Sequence, residues 1–181
     1  RYRKGFKVDD IDMVISGLHG NKIRINPGLI TFEPILTIDH VKQNIKLFKK
    51  VGYYDAYMFT RVLVILPEMR KEYFNDEELN IYDNNYFLNS KTKILYEELE
   101  KYLDMILPLY RQIDKKLITE VERQLLYDEH FRFFDHVYNL LKTKSAVDTE
   151  SYIEKSKLKI KSIIKTTIPT GENGYGKNER Q

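Results

Sequence analysis

From Thr37 onward the apolar positions recur at helical spacing. Val41, Ile45, Phe48 and Val51 form one stripe, with Thr37 or Asp39 to cap its start and Gly52 to close it. Upstream, residues 9–18 read as a short helix: Ile11, Val14, Ile15 and Leu18 share a face, Asp9 or Asp10 can accept from the orphan amides, and Gly20 supplies the stop. Between the two lies a strand signal. Lys22–Asn26 and Leu29–Ile35 flank Asn26-Pro27-Gly28, where proline presets φ and glycine takes the positive φ of a type II turn. A lone two-stranded ribbon is marginal in water, so this small β-hairpin should lie on the helices or pair with another chain.

A further helix is predicted from near Asp55, because Tyr57–Leu66 is apolar on nearly all sides, as in a buried central helix. Val62–Leu66 would also serve as a buried strand, and helix is preferred because no other strand lies nearby in sequence. After Pro67, residues 75–89 read as a loop. The clearest pattern follows. Leu95, Leu99, Tyr102, Ile106, Leu109 and Ile113 step by 4, 3, 4, 3 and 4, a heptad seam. Leu117, Val121 and Leu125 continue it by fours, a stutter. Asn89 or Ser90 caps this region, and Pro108 inside it deletes an amide bond to Asp104 and predicts a kink. Residues 90–143 are therefore two long helices or one bent helix, packed on the preceding pair. A last helix follows Asp148, with Ser151-x-x-Glu154 as its capping box, and after Ile168-Pro169 no regular element is expected.

The predicted fold is mainly α: a helical bundle with a long, Pro-kinked helix pair, a small N-terminal β-hairpin and an extended C-terminal tail. Residues 1–36 form an N-terminal arm, 37–165 the bundle and 166–181 the tail. Whether the seam at 95–125 is core or an intermolecular surface is undecided by periodicity; core is favoured because a domain this small needs the stripe to cover its other helices.

Composition removes many alternatives. At 42% hydrophobic and 31% charged residues with a net charge of +3, most of the chain is too apolar for disorder. There is no cysteine, which excludes thiolate zinc sites, iron–sulfur clusters and disulfides. Val62–Pro67 is the longest apolar run, far short of the ~20 residues of a spanning helix. Abundant Lys, Ile, Asn, Tyr and Phe indicate an AT-rich genome. An opening at Arg1 reads as a processed or trimmed end, and without a signal-peptide apolar region in residues 1–30 the default setting is cytoplasmic, or the virion for a viral protein. The net charge hides an asymmetry: residues 1–7 carry +4, residues 8–141 hold 17 basic and 22 acidic groups, and residues 142–165 hold 7 and 3. An acidic body with basic ends suits an anionic partner, or a second copy's body.

Candidate chemistry is sparse. His19, His40, His130 and His136 show neither Glu-x-x-His nor His-x-x-x-His spacing, so no metal site or cofactor is expected. No serine lies in Gly-x-Ser-x-Gly, and the carboxylates fall where helices face solvent. Gly171–Lys177 matches a phosphate-binding loop only as a string, since Asn178 stands in the Ser/Thr position and the three residues after it in this sequence do not make the required helix. Lys155, Lys157, Lys159 and Lys161, with Tyr175 and Lys177 of the tail, are the candidates for contact with an anion or a partner. Arg123 and His130 stand seven residues apart, about 10 Å along one helix face. This Arg-x(6)-His stretch, Arg123-Gln-Leu-Leu-Tyr-Asp-Glu-His130, resembles the motif of the HEPN family of α-helical ribonucleases, which often act as dimers. The resemblance implies Arg123 and His130 at the scissile phosphate; Asp128 and Glu129 beside the histidine depart from what a phosphate needs.

The preferred functional expectation is a non-catalytic, structural subunit of a multi-subunit assembly, bound to other protein subunits as a homo-oligomer or ring neighbour. A helical body with an extended C-terminal arm resembles the organisation of phage head–tail adaptor proteins, an architectural analogy. The alternative is a nucleic-acid-binding module or HEPN-like ribonuclease using Arg123 and His130.

Overall fold

The computed structural model describes residues 8–23, 30–52, 56–64, 86–113, 119–143 and 148–166. Five helices account for 80% of these residues: α1 (Val8–Gly20), α2 (Ile38–Val51), α3 (Ser90–Ile113), α4 (Glu120–Thr143) and α5 (Glu150–Thr166). No helix among the described residues is long and apolar enough to cross a membrane.

Helix ends follow local chemistry. Thr37 and His40 form a reciprocal capping box on α2, and Gly52 closes it in the left-handed conformation at φ 67°, its amide donating to Lys49 O at 3.2 Å. Asn89 Oδ1 accepts from the Thr92 amide at 3.0 Å to open α3. A second capping box opens α4, where the Thr119 amide donates to Glu122 Oε2 at 2.7 Å and Thr119 Oγ1 accepts the Glu122 amide at 3.3 Å. The last helix starts before the expected box: α5 begins at Glu150, whose amide donates to Asp148 Oδ1, so Ser151 lies inside the helix.

Helices α3, α4 and α5 pack on one another, and α2 lies on α3. Lys91 reaches Leu141 O and Tyr102 reaches His130, so α3 and α4 run antiparallel. His136 on Tyr152 and Glu129 beside Ser156 make α4 and α5 antiparallel as well. Asp39 with Lys142, and Lys42 with Asp135, set α2 antiparallel to α4 too. Helices α2 and α3 are then parallel. The heptad seam is internal core: Leu95, Leu99, Tyr102, Ile106 and Leu109 are all buried, and Tyr102 stacks on Phe133 with centroids 4.1 Å apart. The seam does not continue into α4, where Val121 and Leu125 are exposed. Pro108 sits on an exposed position of α3, and the helix continues across it.

Two expectations are corrected. The β-hairpin is not supported: no strand is present among the described residues. Phe32 instead forms an isolated parallel bridge with Val62, with the Thr31 and Phe32 amides both donating to Arg61 O and the Leu63 amide to Phe32 O. The Asn26-Pro27-Gly28 turn lies outside the described residues. The predicted Tyr57–Leu66 helix is also replaced. Ala56–Thr60 is a short 3-10 turn and Arg61–Val64 carries no helix. Residues 61–63 are held instead by backbone bonds to Thr31 and Phe32, a segment remote in sequence that supplies partners outside any helix. The Pro169-containing tail, with Tyr175, Lys177 and the Gly171–Lys177 string, lies outside the described residues.

A Gly52→Ala substitution should cost about 1 kcal/mol through its left-handed φ, since the added Cβ meets only ordinary contact with His19. Phe133→Ala, which empties the centre of the core, should cost about 3–5 kcal/mol. Urea unfolding of each variant checks both, and equal losses would refute the distinction.

Candidate functional site

The ionisable groups that leave the surface concentrate where α3, α4 and α5 meet. Glu129 and His130 are consecutive on α4, and both lie on its buried stripe between Leu126 and Phe133. His130, 1% exposed, is held between two tyrosines of α3: Tyr102 Oη is 2.7 Å from Nδ1, and Tyr110 Oη bonds Nε2. A neutral imidazole offers one donor and one acceptor, so one tyrosine donates to the ring and the other accepts from it. Burial pushes the His130 pKa down to about 3, while the charge of Glu129 opposes this weakly. The phenol of Tyr102 is raised, first by burial and then by Tyr110.

Glu129 turns the other way, toward α5. Its Oε1 accepts from Ser156 Oγ at 2.8 Å, and Oε2 accepts from Lys159 at 2.6 Å and Arg132 at 3.2 Å. Burial alone would raise this carboxyl. The hydrogen bonds from Lys159 and Ser156, with the lysine's charge and then Arg132, outweigh it and hold the group below the usual carboxylate range. A second buried carboxylate, Glu98 of α3, accepts from Thr149 Oγ1 at the start of α5 and from Lys101 at 2.6 Å. That contact, first through its hydrogen bond, raises the Lys101 pKa.

The residues singled out from sequence are dispersed. Arg123 is ion-paired to Glu120 at 3.3 Å on the rim of α4, whereas His130 is in the core. They share a helix face, but the structure does not bring them to one accessible site. Of the four lysines, Lys159 serves Glu129 and Lys157 pairs with Glu154 at 3.3 Å. Lys155 and Lys161 are exposed. The other histidines have separate places: His19 bonds Val51 O at 3.0 Å, His40 caps α2, and His136 stacks on Tyr152. Among the described residues no group of three or more His, Asp or Glu is arranged to hold a metal ion.

The expectation that the carboxylates fall at solvent-facing helix positions fails at Glu98 and Glu129. A sequence signal existed. Glu129 falls three residues after Leu126 and four before Phe133, and Ser156 lies three after Ile153 and four before Ile160. A polar residue inside an apolar stripe on each of two neighbouring helices marks a buried polar pair.

No family model matches the chain, and no curated protein or solved structure matches it.

The neutral, buried His130 makes stability pH-dependent. Its folded pKa lies below the unfolded value of about 6.5, so the unfolded chain binds the extra proton. Stability should be complete above pH ~6.5 and fall as pH drops toward ~3, at up to about 1.4 kcal/mol per pH unit for this group. Glu129 adds to the loss only at the acidic end, as pH falls below its ordinary range. His130→Gln should flatten the dependence between pH ~6.5 and ~5 in urea unfolding. A wild-type profile flat across that interval would contradict the assignment.

Proposed function

We propose that this chain is a non-catalytic interaction subunit of a larger assembly, binding neighbours through its helical surfaces. The observation that carries this reading is α1. It is tied to α2 at two points, by Lys50 to Asp12 and by His19 to Val51 O, and among its described side chains only Ile15 is buried. Ile11, Met13 and Val14 are exposed, Met13 at 70%. A lone exposed apolar residue needs no explanation, but three within four positions of a helix anchored to α2 at two points suit a partner. Leu158 on α5 and Val121 and Leu125 on α4 extend the exposed apolar surface elsewhere.

Other protein subunits are the proposed partners, with a homo-oligomer or ring neighbour as the simplest. The head–tail-adaptor analogy and a virion setting are the finer form of this proposal and depend on the C-terminal tail as a gripping arm. The ribonuclease alternative receives less support, since His130 would have to leave Tyr102 and Tyr110 to meet a phosphate.

Solution mass by light scattering, at low and high salt, tests the proposal. A defined multimer that persists in high salt is expected, because apolar contact is not screened as charge pairs are. Val14→Asp combined with Met13→Asp should dissociate it with little change in melting temperature. A monomer at all salt concentrations and millimolar-free of self-association, or a multimer indifferent to both substitutions, would count against α1 as the contact.

A further inference from the structure

Two cations are gathered on one buried carboxylate at the α4–α5 seam. Arg132 and Lys159 converge on the same oxygen of Glu129, at 3.2 and 2.6 Å, yet their side chains stay 51% and 44% exposed. The triad therefore carries a net charge of +1 at a half-open position. Glu129 is the only side-chain partner of either head group among the described residues. A guanidinium has five N–H donors and an ammonium three, so most of the donor capacity remains unspent. Lys155 lies one helical turn from Lys159 on the same flank of α5, and is exposed. One turn further along the seam, His136 and Tyr152 stack with centroids 4.2 Å apart and provide a flat aromatic border.

Neutralising Glu129 takes one positive charge, and the second cation is surplus to that task. The bond to Glu129 also limits where each cation can go, which lowers the entropy cost of presenting both to an incoming anion. A planar guanidinium fork beside an ammonium suits a tetrahedral oxyanion, the fork on two oxygens and the ammonium on a third. We propose that Arg132 and Lys159, supported by Lys155, form a binding site for a phosphoryl group, borne on a free phosphate compound or on a nucleic-acid strand. The site is separate from the α1 surface and stands independently of the assembly reading.

The full chain is titrated with inorganic phosphate and, separately, with an oligothymidylate, following the Arg132 side-chain signal and the α5 amides by NMR. Saturable shifts confined to the seam are expected with at least one of the two probes. Tighter binding of the oligonucleotide, weakened steeply by salt, identifies a strand; saturation by phosphate with no gain from the oligonucleotide identifies a small ligand. Lys159→Gln should weaken binding about tenfold or more, while Lys161→Gln, the same charge change on the far side of α5, leaves it unaltered. Because Lys159→Gln also removes a donor from Glu129, Arg132→Lys is the second variant: it keeps the charge, loses the fork and should bind several-fold more weakly at unchanged melting temperature. The proposal is overturned by the absence of saturable shifts at the seam with both probes, or by wild-type affinity in both site variants.

Discussion

Helix α4 places a carboxylate and an imidazole side by side, at Glu129 and His130, with both almost out of water. Burying an unpaired charge costs several kcal/mol even after relaxation, and an unpartnered imidazole loses its hydrogen bonds to water. The two side chains turn to different neighbours for relief. His130 takes its partners from α3, and Glu129 takes Ser156 and Lys159 from α5. A single turn of α4 thereby specifies the axial position of both adjacent helices. Sliding α5 along α4 by one residue would strand Glu129, and sliding α3 would strand His130. Apolar packing between Leu, Ile and Phe side chains tolerates such slips far better, so it supplies stability while the polar turn selects the register.

The same logic extends to the start of α5, where Glu98 accepts from Thr149 and ties α3 to the end of the helix that Glu129 ties at its middle. Three helices are then held pairwise, α3 to α4, α4 to α5 and α3 to α5, each through at least one buried polar contact. On the other side, Asp39 accepts from Tyr138 and Lys142, which holds its carboxyl below the usual range and links α2 to α4 at the surface. That pair is exposed and weak by comparison. The ionisable groups of the interior are thus accounted for as structure. Outward-facing features carry the functional proposals: the apolar residues of α1 and the paired cations over Glu129.

Much of this was legible in the sequence. The 95–109 seam and Gly52 as a stop follow from local periodicity and capping chemistry and are present, while the structure decides between the alternatives the pattern leaves open, with Thr37 rather than Asp39 as the cap and two long helices rather than one bent helix. Sequence and structure differ where a distant segment decides the outcome. Local pattern pairs the Phe32 segment with its sequence neighbour, but its bridge partner is Val62, remote in sequence. Tyr57–Leu66 looked like a central helix because its apolar composition was informative and its backbone partners were not. Continuing the heptad count through 114–118 carried the stripe onto Val121 and Leu125, whereas α4 begins at its own capping box and buries a different face. A related cause applies to the polar groups: charge by itself marks a surface position, whereas the stripe positions of Glu129 and Ser156 mark them as interior, and both are buried.

The most direct test is the protonation state of the His130 ring in the folded protein, followed by nitrogen NMR as pH is lowered. The account predicts a neutral ring in a single tautomer, with one protonated and one bare nitrogen, unchanged from pH 8 down to the onset of unfolding. A ring that titrates near pH 6.5 with the fold intact would show His130 to be open to water, and would contradict both its structural role and the register it is held to impose.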